Sequence, residues 1–384
     1  SYPSGMAWKI PHVALRVAVV VVVLLGTVLG VWAWFEANAM RSEFLIPRPA
    51  LEGYPLEIIS NDAGRVVVEQ TDESTREGLW GLEGETAYAQ VSTIVRLGDE
   101  TVERGVRTLE GEFAVGDPAR IDPDAYFGDP FTAHRIGWEP TVIPSEIGPH
   151  AGWFVDGRRS TWVVFVHGMG SDRLPESLRV LPSLVEQGFP VMVITIRNDI
   201  GATPSESGMR LWGLEEWRDV DAAIQLGLRK GAQDFVILGS GYGASIVSSF
   251  LHESDQVGSV RGVIYDSPVV DLESVVARWS SENGTPRIVG WLARRLATIR
   301  FGVEWGLLNQ VERADEFDVP MLIMLGGEDP VSYPSEIEQF AEAIGDDASR
   351  ARFEQGGHTD LWNIDQSRYE AVTTSWLRDL IGTE

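Results

Sequence analysis

The sequence predicts an α/β fold built on a mostly parallel, doubly wound sheet, with a transmembrane helix and a small β-rich region in front of it. Short apolar runs recur from residue 161 onward, separated by helix-length segments. Such runs are typical of parallel strands that are buried on both faces. A long uncharged stretch near the N-terminus predicts the membrane helix.

Composition limits the kinds of partner. The formal charge of the 384 residues is −26, and the first 35 contain only two charged residues, Lys9 and Arg16. The remainder therefore carries 29 basic against 57 acidic residues, a net charge of −28. A field of that sign repels phosphate backbones and anionic lipid headgroups, which argues against nucleic acid as a partner and against a basic peripheral-membrane patch. The chain has no cysteine, so disulfides, thiolate catalysis and cysteine-ligated zinc are excluded.

Residues 17–35 form the predicted membrane anchor. These 19 uncharged residues would make a helix of about 28 Å, close to the thickness of a hydrocarbon core. Lys9 and Arg16 precede the stretch and Glu36 follows it, with two tryptophans near its far end. This asymmetry predicts a single-pass protein of the cell membrane, with residues 1–16 cytoplasmic and the main part extracytoplasmic.

A cleaved signal peptide is the alternative interpretation of the same stretch. Ala37-Asn38-Ala39 resembles the small-residue pattern of a cleavage site. The apolar run is longer than the usual 7 to 15 residues of a signal peptide. Cleavage near Ala39 would give a secreted protein.

The region between the anchor and the apolar strands divides into two parts. Residues 36–50 are polar and contain proline, which predicts a tether, and residues 51–150 favour β-structure with glycine-rich and aspartate-rich turns. No catalytic constellation lies in this β-rich region. Its clearest predicted strands are Arg65–Glu69, Tyr88–Leu97 and Thr101–Leu109.

Residues 151–384 carry the α/β pattern. Helix-length segments separate the apolar runs, as a doubly wound parallel sheet requires. The predicted strands are Trp162–Val166, Val191–Thr195, Phe235–Leu238, Val260–Tyr265 and Met321–Leu325.

A glycine-rich turn follows the first of these strands. His167-Gly168-Met169-Gly170 comes directly after Val166. Backbone N–H groups in such a turn can point at an oxyanion, and glycine lets a substrate approach the chain closely. A plain strand-to-helix turn that merely needs glycine fits the same four residues.

A second glycine-rich turn, after the strand Phe235–Leu238, resembles a nucleophile elbow without its serine. In the pattern G-x-S-x-G, the two outer positions must be small because strand and helix nearly touch there. Gly239 and Gly243 occupy those positions, and the residue between them is Gly241. Centring the pattern on Ser240 would put Leu238 and Tyr242 at the crowded positions, where their side chains would clash.

An acid and a histidine follow the elbow in the chain order that an α/β-hydrolase needs. Asp329 lies just after strand Met321–Leu325, and His358 lies in a Gly-Gly-His turn. Residues at strand ends on one edge of a sheet can meet in space. We therefore expect Asp329 to orient His358 beside the elbow.

Residues from about 160 to 384 resemble the α/β-hydrolase superfamily, in its bacterial serine esterase, lipase and peptidase-like branch. The stretches Thr195–Gly201, Gly213–Val220 and His358–Tyr369, and also the front region, are similar to a group of actinobacterial hydrolases of unassigned substrate. The resemblance implies an α/β-hydrolase fold acting on ester or amide bonds. It also implies roles for residues of this chain: Met169 and Tyr242 N–H as oxyanion hole, His358 as base, Asp329 as its acid with Asp266 as second choice, and Gly241 at the nucleophile position.

Three explanations of Gly241 follow from the pattern. The chain is a natural homologue without the serine, a variant inactivated on purpose, or a protein with a rearranged turn in which Ser240 attacks. A fourth hypothesis gives His358 and Asp329 the role of a base dyad that needs no serine. If attack is lost altogether, the protein is a pseudo-hydrolase that binds a ligand or serves as a scaffold.

The remaining expectations concern substrate, lid and cofactors. Residues 271–311 predict helices with four large aromatic side chains, which would form a lid over an apolar pocket or simply pack on the sheet. The expected substrate is a small-molecule or lipid-like acyl compound. Six scattered histidines, none with another histidine four residues away, predict no metal, and no organic cofactor is implied.

Overall fold

The computed structural model describes residues 12–49, 53–170, 172 and 174–382. Contacts divide the chain into two units. One consists of the chain up to Leu45 together with Glu273–Glu304, and the other of Ile46–Leu272 together with Trp305–Glu384. The expected cytoplasmic segment 1–16 lies mostly outside the described residues.

The described residues contain the following strands and helices. The strands are β1 (Leu56–Asp62), β2 (Arg65–Glu69), β3 (Trp80–Gly84), β4 (Tyr88–Leu97), β5 (Thr101–Glu110), β6 (Pro118–Asp122), β7 (Glu139–Ser145), β8 (Gly148–Val155), β9 (Thr161–Val166), β10 (Val191–Ile194), β11 (Asp234–Ser240), β12 (Val260–Asp266), β13 (Met321–Gly326) and β14 (Ala348–Phe353). The helices are α1 (His12–Met40), α2 (Pro130–His134), α3 (Leu181–Glu186), α4 (Trp217–Lys230), α5 (Tyr242–Glu253), α6 (Leu272–Glu282), α7 (Arg287–Phe301), α8 (Pro334–Ile344), α9 (Leu361–Ile364) and α10 (Gln366–Ile381).

The first unit joins α1 to the helical pair α6 and α7. Helix α1 is long and apolar enough to cross a membrane, a property that signal sequences share. The tether expected at residues 36–50 is helical over its first ten residues, because α1 runs to Met40 and a π-helical turn, Arg41–Leu45, follows. Ala33, Ala37 and Met40 recur every three or four residues and are buried. This buried stripe explains why the polar-looking segment stays helical.

The β-rich region forms a small closed barrel, in the order β1-β2-β5-β4-β3-β6. Alternation along the strands places one set of side chains inside, including Ile58, Val68 and Leu82. The expected strands Arg65–Glu69, Tyr88–Leu97 and Thr101–Leu109 are present as β2, β4 and β5. Closure leaves the barrel without free edge strands.

Arg104, on β5, is fully buried and organises the loop that leaves β2. Its guanidinium donates to four backbone carbonyls, those of Ser92, Ser74, Arg76 and Gly78. Burial lowers the pKa of Arg104 to about 10. Arginine suits this position because the N–H donors of its planar guanidinium can reach several carbonyl acceptors at once.

The large sheet has eight strands in the order β14-β13-β12-β11-β9-β10-β8-β7. Strands β9 to β14 pair in parallel with one another, whereas β7 and β8 are antiparallel. Every residue of β9, β10 and β13 is buried, as expected for strands covered on both faces. The sheet begins at Glu139, inside the region expected to end at 150, because β7 and β8 pair onto its edge.

The barrel and the sheet are joined by direct hydrogen bonds. The Asn363 side-chain amide donates to the carbonyls of Leu79 and Pro123, both 2.8 Å away, and the Leu79 N–H donates to the Asn363 carbonyl. Gly78 passes so close that a Cβ there would lie 2.2 Å from the Asn363 carbonyl oxygen. These contacts bring the barrel loop 72–77 next to the turn that carries His358.

We expect Arg104→Lys to lower the free energy of unfolding by about 2 to 4 kcal/mol, because an ammonium cannot serve all four carbonyls and leaves buried acceptors unpaired. Urea denaturation of both proteins measures the difference. Arg96→Lys is the control, since the Arg96 side chain is 75% exposed, and it should change stability by less than about 0.5 kcal/mol. Equal losses in the two variants would contradict the role given to Arg104.

Candidate active site

The site lies at the point where the strand order of the sheet reverses. From β9 the chain moves to β10 on one side, and β11 pairs with β9 on the other. Loops that follow neighbouring parallel strands diverge at such a point and leave a crevice at the carboxyl ends of the strands. The turns after β9 and β11 are the two glycine-rich motifs, His167–Gly170 and Gly239–Gly243.

The turn after β11 has the geometry of a sharp strand-to-helix elbow. Strand β11 ends at Ser240, Gly241 has φ 47° and ψ −107°, and α5 begins at Tyr242. The Gly241 N–H donates to the Asp266 carbonyl at 2.8 Å. A φ of this sign is strained for side chains and free for glycine.

Gly239 and Gly243 are both required by close approach. A Cβ on Gly239 would lie 2.8 Å from the Ala244 backbone, and a Cβ on Gly243 would lie 2.2 Å from the Val166 carbonyl oxygen. Real Cβ atoms do not come this near to backbone atoms, so no larger residue fits. The crowded positions are thus the two that flank Gly241.

A side chain on Gly241 would point at the histidine. A Cβ built there lies 3.1 Å from His358 Nε2 and 3.0 Å from Thr359 Cγ2. These contacts are tight but involve side-chain atoms, so shifts of a few tenths of an ångström admit a small residue. Residue 241 therefore faces His358 directly.

Ser240 points elsewhere, into the interior. The residue is 1% exposed, and its hydroxyl donates to Glu176 Oε1 at 2.6 Å. Glu176 Oε2 accepts the Gly168 N–H at 2.7 Å, and Arg179 Nη2 donates to Glu176 Oε1 at 2.9 Å. The Ser240 hydroxyl is thus engaged in a buried network instead of lying free in the crevice.

His358 and Asp329 meet as expected. His358 Nδ1 lies 2.9 Å from Asp329 Oδ2, and since a carboxylate only accepts, Nδ1 carries the proton. Asp329 Oδ1 accepts the N–H groups of Val331 and Ser332, both at 2.8 Å, which fixes the carboxylate. This tautomer leaves Nε2 as a basic lone pair on the side of Gly241.

Asp266, the second choice for the acid, serves a different purpose. It is 3% exposed, and Asp266 Oδ1 accepts from the Ser267 hydroxyl at 3.0 Å. Burial raises the pKa of Asp266. The carboxylate that bonds His358 is that of Asp329.

Two backbone N–H groups remain candidates for the oxyanion hole, those of Met169 and Tyr242. Tyr242 is the first residue of α5, so its N–H has no acceptor within the helix. The Gly168 N–H is already taken by Glu176, which leaves Met169 as the next donor in the turn. Gly170 has φ 134°, a conformation that the turn obtains only with glycine.

His167 stabilises this turn through hydrogen bonds of both its ring nitrogens. Its Nε2 lies 2.7 Å from Asp199 Oδ2 and its Nδ1 lies 2.8 Å from the Gly168 carbonyl oxygen. Burial alone would lower the pKa of His167, but the Asp199 carboxylate and its hydrogen bond raise it. Asp199 also accepts from Arg210 at 3.2 Å, and Arg210 reaches the Met169 sulfur.

The sequence analysis did not predict most of the buried charged residues that support these turns. Asp199 lies within the stretch Thr195–Gly201 that resembles actinobacterial hydrolases, which was a usable signal. Glu176, Arg179 and Arg210 lie outside every motif, and a lone charged residue in a loop is normally solvent-exposed. Their burial is visible only in three dimensions.

A cavity of about 800 Å³ opens at His358 between the barrel loop and the loops after β13 and β14. Its lining carries four carboxylates and one guanidinium, from Asp72, Glu73, Glu77, Glu328 and Arg76. Acidic side chains therefore dominate the charge of the approach to His358.

No group of three or more metal-ligating side chains is placed to hold an ion in the described part of the chain.

Residues 163–372 match the Alpha/beta hydrolase family. The chain belongs to this family. Residues 57–122, which form the barrel, match a domain of unknown function (DUF8805). No curated protein matches the chain.

Solved structures show the same α/β-hydrolase fold. An esterase from Pyrococcus furiosus shares 18% identity over 64% of this chain and 94% of its own, with a TM-score of 0.52. A puromycin-hydrolyzing peptidase from Mycobacterium tuberculosis shares 18% identity over 88% of this chain and 55% of its own, with a TM-score of 0.54. At these identities the likeness confirms the fold of this α/β-hydrolase.

The stability lost in His167→Gln should depend on pH. The folded pKa of His167 lies above its ordinary value of 6.5, so its contribution is fully present below about pH 6.5 and is lost as pH rises through the folded pKa. We expect the difference in unfolding free energy between the two proteins to be larger at pH 6 than at pH 9, measured by urea denaturation.

His134→Gln is the control, because the pH dependence of its stability loss should have the opposite sign. Burial lowers the pKa of His134, so its neutral form is favoured and its contribution shrinks as pH falls. The two variants should therefore show opposite pH trends. A His167 difference that is independent of pH would contradict the charged pair with Asp199.

Proposed function

We propose that this chain is a membrane-anchored α/β-hydrolase whose site for ester or amide substrates is complete except for its nucleophile, which Gly241 replaces. One observation carries the proposal: a Cβ at residue 241 would lie 3.1 Å from His358 Nε2. The position that faces the base is therefore 241, and it has no hydroxyl. The protein binds its ligand without forming an acyl-enzyme.

The two glycines that flank Gly241 support the same assignment. In a nucleophile elbow the small residues sit two before and two after the nucleophile, and the backbone leaves room for no Cβ at Gly239 or Gly243. With Ser240 at the centre, the small positions would fall on Leu238 and Tyr242. Ser240 instead donates to Glu176 in the interior, which argues against attack by its hydroxyl.

With a serine at 241, the chemistry follows from the site. The hydroxyl would attack the substrate carbonyl, and His358 would take its proton while Asp329 stabilises the imidazolium. The N–H groups of Met169 and Tyr242 would hold the oxyanion. Loss of the serine removes about 10⁶ of the rate enhancement in a comparable serine hydrolase and leaves about 10³ to 10⁴ from the remaining parts.

The anchor and its orientation belong to this proposal. Helix α1 presents exposed apolar side chains from Leu15 to Val31, as a helix in lipid does. Lys9 and Arg16 before the span and Glu36 after it favour a cytoplasmic N-terminus, with the α/β-hydrolase domain extracytoplasmic.

Base catalysis without a serine is the second candidate, favoured by the intact His358 to Asp329 hydrogen bond. His358 Nε2 would then abstract a proton from carbon next to a carbonyl that the oxyanion hole polarises. Exchange of α-protons in a bound ketone or ester, followed by NMR in D₂O, reports this activity. It should disappear in His358→Gln and persist in Ser240→Ala.

We expect Gly241→Ser to raise kcat/KM for p-nitrophenyl ester hydrolysis by about 10³ or more over the chain as it stands, because it restores the missing nucleophile. The variant should also react covalently with a fluorophosphonate probe, which labels only an activated serine. The positive φ of residue 241 should lower the unfolding free energy of the variant by about 1 to 3 kcal/mol.

Gly241→Ala is the matched control, since it adds the same Cβ and backbone strain without a hydroxyl, and it should gain neither activity nor labelling. Ser240→Ala in the Gly241→Ser background should keep the activity. If the chain as it stands already hydrolyses the ester and Ser240→Ala abolishes this, Ser240 is the nucleophile and the proposal is wrong.

The acidic cavity at His358 predicts a preference for cationic substrates. In the Gly241→Ser variant, an ester with a quaternary ammonium leaving group should exceed its neutral isostere in kcat/KM by several-fold at low salt, and the ratio should fall as ionic strength rises. Glu73→Gln with Glu77→Gln should reduce the ratio, whereas Glu112→Gln, an exposed acid outside the cavity lining, should not. An unchanged ratio in the double variant would contradict the preference.

A further inference from the structure

The unit that contains α1 also contains a basic segment, in a chain that is otherwise acidic. Helix α7 carries Arg287, Arg294, Arg295 and Arg300 and no acidic residue, whereas the chain has a net charge of −26. Concentrating positive charge in this way favours an anionic ligand at α7.

Helix α7 packs against the C-terminal part of α1. Arg300 lies over the Trp34 ring, 3.5 Å from its centroid, and donates to Asn38 Oδ1 at 2.9 Å. The Thr285 hydroxyl, just before α7, donates to Glu36 at 3.0 Å. If α1 spans the membrane, α7 is therefore held at the end of the span, where lipid headgroups lie.

A cavity of about 670 Å³ lies between α6 and α7. Its lining includes the guanidinium groups of Arg278, Arg287 and Arg294, the indole of Trp291 and four hydroxyls, among them those of Ser280 and Thr285. Of the guanidinium groups, that of Arg294 also binds a carboxylate, Glu273, at 2.9 Å. Arginine is the side chain best suited to phosphate oxygens, because its donors form a planar fork.

One hydroxyl in the cavity points to a ligand independently of the charge. Ser280 is 2% exposed, and its hydroxyl makes no hydrogen bond to any described residue. Leaving a buried hydroxyl without a partner costs free energy. A ligand oxygen in the cavity would supply the partner.

An apolar surface adjoins the cavity. Ile288, Trp291, Arg295 and Ile299 recur every three or four residues and therefore share one stripe of α7. The side chains of Ile288, Trp291 and Ile299 are 52%, 45% and 79% exposed, and Trp291 also lines the cavity. A ligand that fits both features has an anionic head and an apolar tail.

We propose that the cavity between α6 and α7 binds the phosphate headgroup of an anionic membrane phospholipid, with the acyl chains along the Ile288, Trp291 and Ile299 stripe. Arg287 and Arg278 pair with the phosphate, and Ser280 donates to one of its oxygens. Trp291 lies at the boundary between headgroup and chains, as interfacial tryptophans do. The lipid would fasten α6 and α7 to the bilayer that α1 crosses.

Native mass spectrometry of the full chain, released from detergent, tests this directly. Titration with dioleoyl phosphatidylglycerol should give one lipid retained more strongly than the rest, and dioleoyl phosphatidylcholine should not. Arg287→Gln should weaken that first binding event about tenfold, as loss of one charge-assisted hydrogen bond does. Arg261→Gln removes the same charge from a side chain of β12 that is 47% exposed and lies outside both the cavity lining and the apolar stripe, and it should leave the affinity within about twofold.

Gly290→Leu provides a second variant that keeps every charge. A Cβ on Gly290 meets its nearest neighbours at ordinary distances, 3.6 Å from Arg294 Nη1 and 3.7 Å from Ser280 Cβ, so the backbone accepts a side chain there. We expect the leucine to occupy the cavity and abolish the bound lipid. Equal weakening by Arg287→Gln and Arg261→Gln, or full binding by Gly290→Leu, overturns the site.

Inorganic phosphate separates a lipid from a free anion. Phosphate that displaces phosphatidylglycerol at comparable concentration would show that the acyl chains add nothing, and the lipid assignment would be wrong. Because the chain as it stands is used and no turnover is measured, the result is independent of the role proposed for Gly241.

Discussion

A buried ion pair between Glu176 and Arg179 connects the turn after β9, the elbow, the histidine turn and the residue that binds the barrel. Glu176 accepts from the Gly168 N–H in the turn after β9 and from the Ser240 hydroxyl at the elbow. Arg179 donates to the Thr359 carbonyl beside the histidine and to Asn363, which binds the barrel. Burying two charges is costly unless their hydrogen bonds are satisfied. Here each partner is surrounded by groups whose positions the site depends on, so the pair specifies one arrangement of four separate loops.

This pair also decides what Ser240 can do. The Ser240 hydroxyl donates to a buried carboxylate oxygen that also accepts from Arg179, so leaving it would cost a charge-assisted hydrogen bond. To attack a substrate, Ser240 would have to abandon Glu176 and turn toward His358, which faces residue 241 instead. The hydrogen bond that stabilises the elbow thus holds the Ser240 hydroxyl in the buried network.

The sequence predicts the fold and the motif residues well because their constraints are local. Gly239 and Gly243 can be recognised from spacing alone, since the steric requirement lies within five residues. The buried strands are equally clear, because covering both faces leaves only apolar side chains. The roles of Glu176, Arg179 and Arg104 could not be predicted, because the sequence does not distinguish a buried charged residue from an exposed one. Only the tertiary partners of such a residue show that it is buried. Tertiary contacts also determine two elements that the sequence did not predict. These are the antiparallel strands β7 and β8, which pair at the edge of the large sheet, and the helical continuation of α1, whose buried stripe packs inside its unit.

Retention of Asp329 and His358 does not by itself imply catalysis. Asp329 Oδ1 fixes the turn after β13 through two backbone N–H groups, while its other oxygen binds His358. Losing the aspartate would therefore unpair backbone donors even in a protein that hydrolyses nothing. Glycine at 241, in turn, relieves the strain that a nucleophile bears at a positive φ. In the function proposed here, the parts of a hydrolase site that remain are those that also stabilise the fold, and the part that is missing is the one whose only contribution is attack.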